Sequence, residues 1–201
     1  MADRRKQLSS MDSTWLATLT HIHGEVNEAR ALRVAEILND YRTLLVHISQ
    51  QDVPVPAEDC WEQGYVVIRE SLAAAQALMA SNYTPSIPPA GGSDAETEKA
   101  ELQRVILDGS ARRFRAHKIY LRAAAGRRWS INRQNILRGQ RPDQRHASQL
   151  KLIDEAFRQE LAQVTDQHVV ADLRAADMRA GHWLNDDPSL PAILNWIRSH
   201  P

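Results

Sequence analysis

The chain has 201 residues, 43% of them hydrophobic, and 25 basic against 25 acidic side chains, so it carries no net charge. That length buries a core without covalent staples, and the composition excludes the disordered, collagenous and disulfide-rich classes. A single cysteine, Cys60, rules out an internal disulfide, and one thiol among eight scattered histidines is no zinc framework.

The polar start MADRRKQLSS has no apolar signal-peptide core, and no apolar run reaches the roughly 18–20 residues that span a bilayer. The expectation is a cytoplasmic protein with no membrane partner. No cofactor and no metal site are expected.

Helical periodicity dominates the chain. Ser13 is placed to cap a first helix, with Trp15, Leu19, Ile22 and Val26 on one stripe and Gly24 as its break. In NEARALRVAEILNDYRTLLVHIS, Val34, Leu38, Tyr41, Leu45 and Ile48 line one helix face, and the prolines of DVPVPAED end it. A third helix is expected over 57–81, with Trp61, Tyr65, Ile68, Leu72, Ala75 and Met79 inward.

TPSIPPAGGSDAE, with three prolines and two glycines, reads as a linker at 84–95 between an N-terminal part, 1–83, and a C-terminal part, 96–201. Ser93 and Glu96 have capping-box spacing and start a helix carrying Leu102, Val105 and Ile106. "DGS" at 108–110 is expected to kink or end it. Further helices are expected over 111–125, closed by Gly126, and from Ser130 to "RGQRP". Two more carry Leu150–Ile153–Phe157–Leu161–Val164 and Val169–Val170–Leu173, the second stopping near Gly181. A last short helix follows Ser189, with Ile193, Leu194 and Ile197 inside.

No alternating β-branched run with hairpin turns and no fixed-period repeat is present. The predicted fold is all-α, a multi-helix bundle of about eight helices, with room for two small lobes.

The neutral total hides a strong asymmetry. Residues 1–95 carry 7 Lys and Arg against 12 Asp and Glu, residues 96–150 carry 13 against 5, and residues 151–201 carry 5 against 8. Most of the positive charge lies in RRFRAHKIYLRAAAGRRWSINRQNILRGQRPDQRH, residues 112–146, with ten arginines, one lysine and one acid, Asp143. Guanidinium groups match phosphates bidentately and stack on bases, so an arginine excess points to nucleic acid.

On the expected 111–125 helix, Arg115, Lys118 and Arg122 form one ridge with Arg112 beside it. Arg127, Arg128 and Trp129 follow at a loop, then Arg133, Arg138, Arg141 and Arg145 across a short helix and its exit. A base is expected to stack on Trp129 or Tyr120, and Asn132, Gln134, Asn135 and Gln140 are residue types that read base edges. These features predict a non-catalytic nucleic-acid-binding protein, RNA or DNA, as an accessory subunit of a larger nucleoprotein complex with protein partners. The competing reading is an adaptor whose basic patch docks an acidic protein. A further possibility is neutralisation within the chain, by Glu58, Asp59, Glu62 and Glu70.

"INRQNILRGQRP" followed by "LKLIDEAF" resembles the back half of a Cro/repressor-type helix-turn-helix, which implies a recognition helix over Asn132, Arg133, Gln134 and Asn135. The preceding LRAAAGRRW is too short to supply that motif's first helix and turn. Arg-x4-His occurs at Arg42–His47, Arg112–His117 and Arg141–His146. It is similar to the Arg-x4–6-His motif of all-α HEPN ribonucleases, which implies a histidine acting on RNA.

His21 and Glu25 in "HIHGE" have helical ligand spacing, but two ligands do not make a metal site. Cys60 and Trp61 open a helix without a visible base, and a packed thiol is expected there. Trp183 and Trp196 are expected as core or interface anchors.

Overall fold

The structure, a computed structural model, describes residues 28–50, 62–81, 83, 95–182 and 187–200. The expected first helix with Ser13, the HIHGE segment, Glu58, Asp59, Cys60, Trp61, Ser93 with most of the linker, and Trp183 lie outside the described residues.

The described elements are α-helices: α1 (Glu28–Ser49), α2 (Gln63–Ala80), α3 (Ala95–Leu137), α4 (Ala147–Gln163), α5 (Asp166–Ala180) and α6 (Leu190–Ser199). The all-α expectation is met, with six helices among the described residues instead of about eight. The difference lies mainly in α3. Three expected helices, from 93, 111 and 130, are one unbroken helix of 43 residues.

Gly109, Gly126 and Ser130, read from sequence as breaks or caps, lie inside α3 and are buried. They are small because packing demands it. A Cβ on Gly126 would stand 2.7 Å from Ile68 Cγ1, and one on Gly109 would stand 3.1 Å from Ile37 Cγ2. Both are closer than ordinary contact, so the glycines admit a neighbouring side chain and do not end the helix. The end comes at Leu137, where Arg138 (φ 46°) and Gly139 (φ 79°) take the left-handed conformation that closes helices.

The later helices have legible caps. Thr165 Oγ1 accepts from the His168 N–H at 3.2 Å at the start of α5. Gly181, with φ 68°, closes α5. Ser189 Oγ accepts from the Ala192 N–H at 3.5 Å and caps α6.

The chain forms two compact units. Among the described residues one comprises 28–43, 83, 95–115, 170–182 and 187–200, and the other 44–50, 62–81 and 116–169. Each takes described segments from both sides of residues 84–95. The helices α1, α3 and α5 each contribute residues to both.

The core of the first unit joins Val34, Ile37 and Leu38 of α1 to Leu102, Val105 and Ile106 of α3, with Tyr83 packed against it. The second unit centres on Trp129 of α3, which sits among Tyr65, Val67 and Ile68 of α2 and Phe157 of α4. Tyr65 meets the indole edge-to-face, with ring centroids 4.9 Å apart. Gly64 makes room for it, since a Cβ there would stand 2.1 Å from Trp129 Cε3.

Among the described residues the second unit, 44–50, 62–81 and 116–169, carries 11 basic and 7 acidic side chains, so it keeps part of the basic excess of the sequence.

Candidate functional site

In the first unit a buried ionic cluster is built around Asp177 of α5. Arg113 of α3 donates to both carboxylate oxygens, Nη1 to Oδ2 at 2.8 Å and Nη2 to Oδ1 at 2.7 Å. Arg33 of α1 donates to Oδ2 at 2.6 Å and also binds Asp187, through Nη2 at 3.0 Å and Nε at 3.3 Å. Arg113 Nη2 reaches Asp40 at 2.6 Å, and His182 Nε2 lies 3.3 Å from Glu36.

Arg33, Arg113 and Asp177 are 4%, 5% and 4% exposed. Burial alone raises the Asp177 pKa, but the Arg113 and Arg33 guanidiniums more than offset this and hold it below the ordinary carboxylate range. Burial likewise opposes the Arg33 charge, and Asp177 and Asp187 outweigh it.

The adjoining cavity, of about 40 Å³, is bordered by Ser110, Leu173 and Pro188. It has room for water but not for a substrate of ordinary size. This cluster ties three helices together. Sequence reasoning named neither Arg113, Arg33 nor Asp177 as a site. Their phase carried a signal: Arg113 falls on the stripe of Leu102, Ile106 and Gly109, and Asp177 on that of Val170 and Leu173.

The expected basic residues of the first unit are engaged. Arg112 Nε donates to Asp108 at 3.4 Å, and its guanidinium sits 3.6 Å from the Tyr83 ring centroid. Burial, then Asp108, push the Tyr83 hydroxyl pKa up. Trp196 Nε1 donates to Asp108 at 2.9 Å, the anchoring role expected of that tryptophan. Arg115 donates to the carbonyls of Ile197 at 3.2 Å and His200 at 3.0 Å. It thereby caps the C-terminus of α6, where carbonyls lack helical partners and a cation is favoured.

In the second unit Lys118 pairs with Asp166 at 2.7 Å, Arg122 with Glu70 at 3.5 Å and Arg133 with Glu62 at 2.5 Å. Arg128 pairs with Glu160, and Arg145 with Asp143 at 2.6 Å. The expected open ridge of Arg115, Lys118 and Arg122 is therefore a row of engaged side chains. Two of the anticipated neutralising acids, Glu62 and Glu70, are in place.

Trp129, expected as a stacking platform, is 4% exposed and donates from Nε1 to Asp154 at 2.8 Å. Packing against Tyr65 and Phe157 withholds its ring faces. Tyr120, the other expected platform, stacks on the buried His117 with ring centroids 5.9 Å apart.

What stands open is the outer face of the last turns of α3 and the loop after it. Arg127, Arg138 and Arg141 are exposed and hold no carboxylate among the described residues. Arg145 is 82% exposed and Arg128 is 59% exposed, each in a surface pair. Such pairs contribute about 0–1 kcal/mol and exchange readily. Exposed Asn132, Gln134, Asn135 and Gln140 lie between these arginines.

The implied recognition helix is not separate. Asn132, Gln134 and Asn135 belong to the last turns of the unbroken α3. Of the Arg-x4-His pairs, Arg112–His117 has its arginine on Asp108 and its histidine buried, and in Arg141–His146 the histidine Nδ1 lies 2.8 Å from Asp143.

Against the same loop the second unit has an open groove of about 610 Å³. Its charged lining is Glu62 and Asp154 against Arg133 and Arg158, and its apolar lining is Pro142, Leu150 and Trp129. Arg158 Nε donates to the Asp154 carbonyl at 3.2 Å.

Among the described residues no group of three or more His, Cys, Asp and Glu is placed to hold a metal ion, and no helix is long and apolar enough to cross a membrane. No family model matches the chain, and neither a curated protein nor a solved structure matches it.

Proposed function

We propose that the protein is a non-catalytic nucleic-acid-binding protein of the cytoplasm, acting as an accessory subunit of a larger nucleoprotein complex. The phosphate-contacting face is residues 127–145, at the end of α3 and in the loop that follows. The observation that carries this reading is the state of Arg127, Arg138 and Arg141, exposed and without a carboxylate partner among the described residues. Arg128 and Arg145 add charge that surface pairing restrains only weakly. Six arginines against one acid across these residues give local excess charge in a chain with none overall. Polyanions are attracted to such a face and release counterions when they bind it.

Arg112, Arg115, Lys118 and Arg122 take a secondary part in this reading, since each already has a partner in the fold. The test is binding of random-sequence RNA and DNA in a salt titration. Affinity falling steeply with salt is the expected result, and no binding of either polymer at low salt sinks the proposal.

The adaptor reading rests on one specific observation. Seven of the eleven basic side chains in 112–146 hold carboxylates within the chain. An acidic protein surface would meet the rest in the same way, and a protein that ignores both polymers at low salt would point there.

A further inference from the structure

We infer that the groove lined by Arg133, Arg158, Glu62, Asp154, Pro142 and Leu150 receives a single unstacked nucleobase, so that the protein prefers single-stranded to double-stranded nucleic acid. The inference rests on the phosphate-binding reading of residues 127–145 and deepens it.

The groove is not itself a phosphate site. Glu62 and Asp154 balance Arg133 and Arg158, so an anion entering it meets two carboxylates and an ammonium meets two guanidiniums. A neutral group rich in donors and acceptors meets neither penalty.

The wall chemistry suits a planar heterocycle. Guanidinium planes and apolar side chains stack on base faces in single-strand recognition, and exposed Arg158 with Pro142 and Leu150 supplies both kinds of surface. Asp154 receives the Trp129 indole on Oδ1 and Glu62 receives Arg133 on Oε1. Each carboxylate keeps a second oxygen to accept from the amino or imino N–H groups on a base edge. The volume falls within the roughly 300–1,000 Å³ of small-ligand sites.

What ties the group to a strand is the neighbouring charge. Pro142 lines the groove and Arg141, exposed and without a carboxylate partner among the described residues, precedes it in the chain, with Arg138 in the same loop. A neutral planar group in the groove and anionic groups at the loop together describe a nucleotide within a strand. In a duplex the bases are paired and stacked, and they reach such a groove only by flipping.

The experiment compares a single-stranded oligonucleotide, as RNA and as DNA, with its duplex, using wild type and two variants. Leu150→Trp fills the groove, and Arg158→Ala removes one exposed guanidinium from its wall. In wild type the single strand binds roughly tenfold tighter than the duplex, the scale of one stacked base. Leu150→Trp removes most of that preference and leaves duplex binding unchanged. Arg158→Ala, on the surface of α4 and harmless to folding, moves it in the same direction. A 2-aminopurine probe in the strand changes its fluorescence on binding wild type and not on binding Leu150→Trp.

Equal affinity for single strand and duplex, unmoved by either variant, overturns the groove inference and leaves the basic face standing. Absence of binding to every polymer at low salt overturns both.

Discussion

The first unit and the second use the same side chain for opposite ends. In the first, Arg33 and Arg113 are removed from water and locked onto Asp177, with Asp187 and Asp40 completing the set. In the second, Arg127, Arg138 and Arg141 stand in solvent with no carboxylate among the described residues. Arg112 and Arg113 are neighbours in sequence, yet one is partly exposed and packs on Tyr83 while the other is buried in the cluster. An arginine-rich stretch is thus not one object. Helical phase decides which guanidiniums hold the fold and which remain in solvent.

The largest effect that separates the regions is on stability. Asp177→Ala leaves two buried guanidiniums short of their shared anion, and breaking a buried pair in this way costs about 3–5 kcal/mol. Urea unfolding should show that loss, and a change below about 1 kcal/mol would mean the cluster does not hold its helices.

Next is the packing of the second unit. Gly64→Ala gains helix propensity but drives a methyl group into the Trp129 indole, and overpacking costs about 1–3 kcal/mol. A neutral or stabilising result would show that the indole yields easily.

Acid sharpens the contrast. The Asp177 pKa is depressed in the fold, so its contribution is present above the ordinary carboxylate range and lost as pH falls through the folded value. The urea midpoint should hold between pH 7 and 5 and fall below about pH 4. A midpoint unchanged at pH 3 would contradict the role given to the cluster. The smallest effect belongs to the surface. Glu160→Gln, which frees Arg128, should change stability by less than about 1 kcal/mol.

Much of the fold was legible because apolar spacing reports burial directly. The stripe from Val34 to Ile48, that of α4, the Ser189 cap and the stop at Gly181 all followed from local pattern. The breaks placed at Gly109, Gly126 and Ser130 did not hold, because a glycine in sequence does not reveal what lies opposite it. Here Ile37 and Ile68 approach two of them. Trp129 was misjudged for a related reason. Beside two arginines it looked solvent-facing, whereas its place four residues after buried Ala125 puts it on the core side of α3. Composition singled out the arginine stretch. It was silent on the acids that answer it, since Glu62, Glu70, Asp166 and Asp177 arrive from distant parts of the chain.

In the proposed function, exposure and not arginine content selects the residues that contact phosphate. The most direct measurement is the salt dependence of oligonucleotide affinity for wild type and for Arg127→Gln/Arg138→Gln/Arg141→Gln. The account predicts a log–log slope shallower by about 2 in the triple variant, from three lost phosphate contacts on a single strand, with the urea midpoint unchanged. An unaltered slope, or no binding by wild type at low salt, would contradict it.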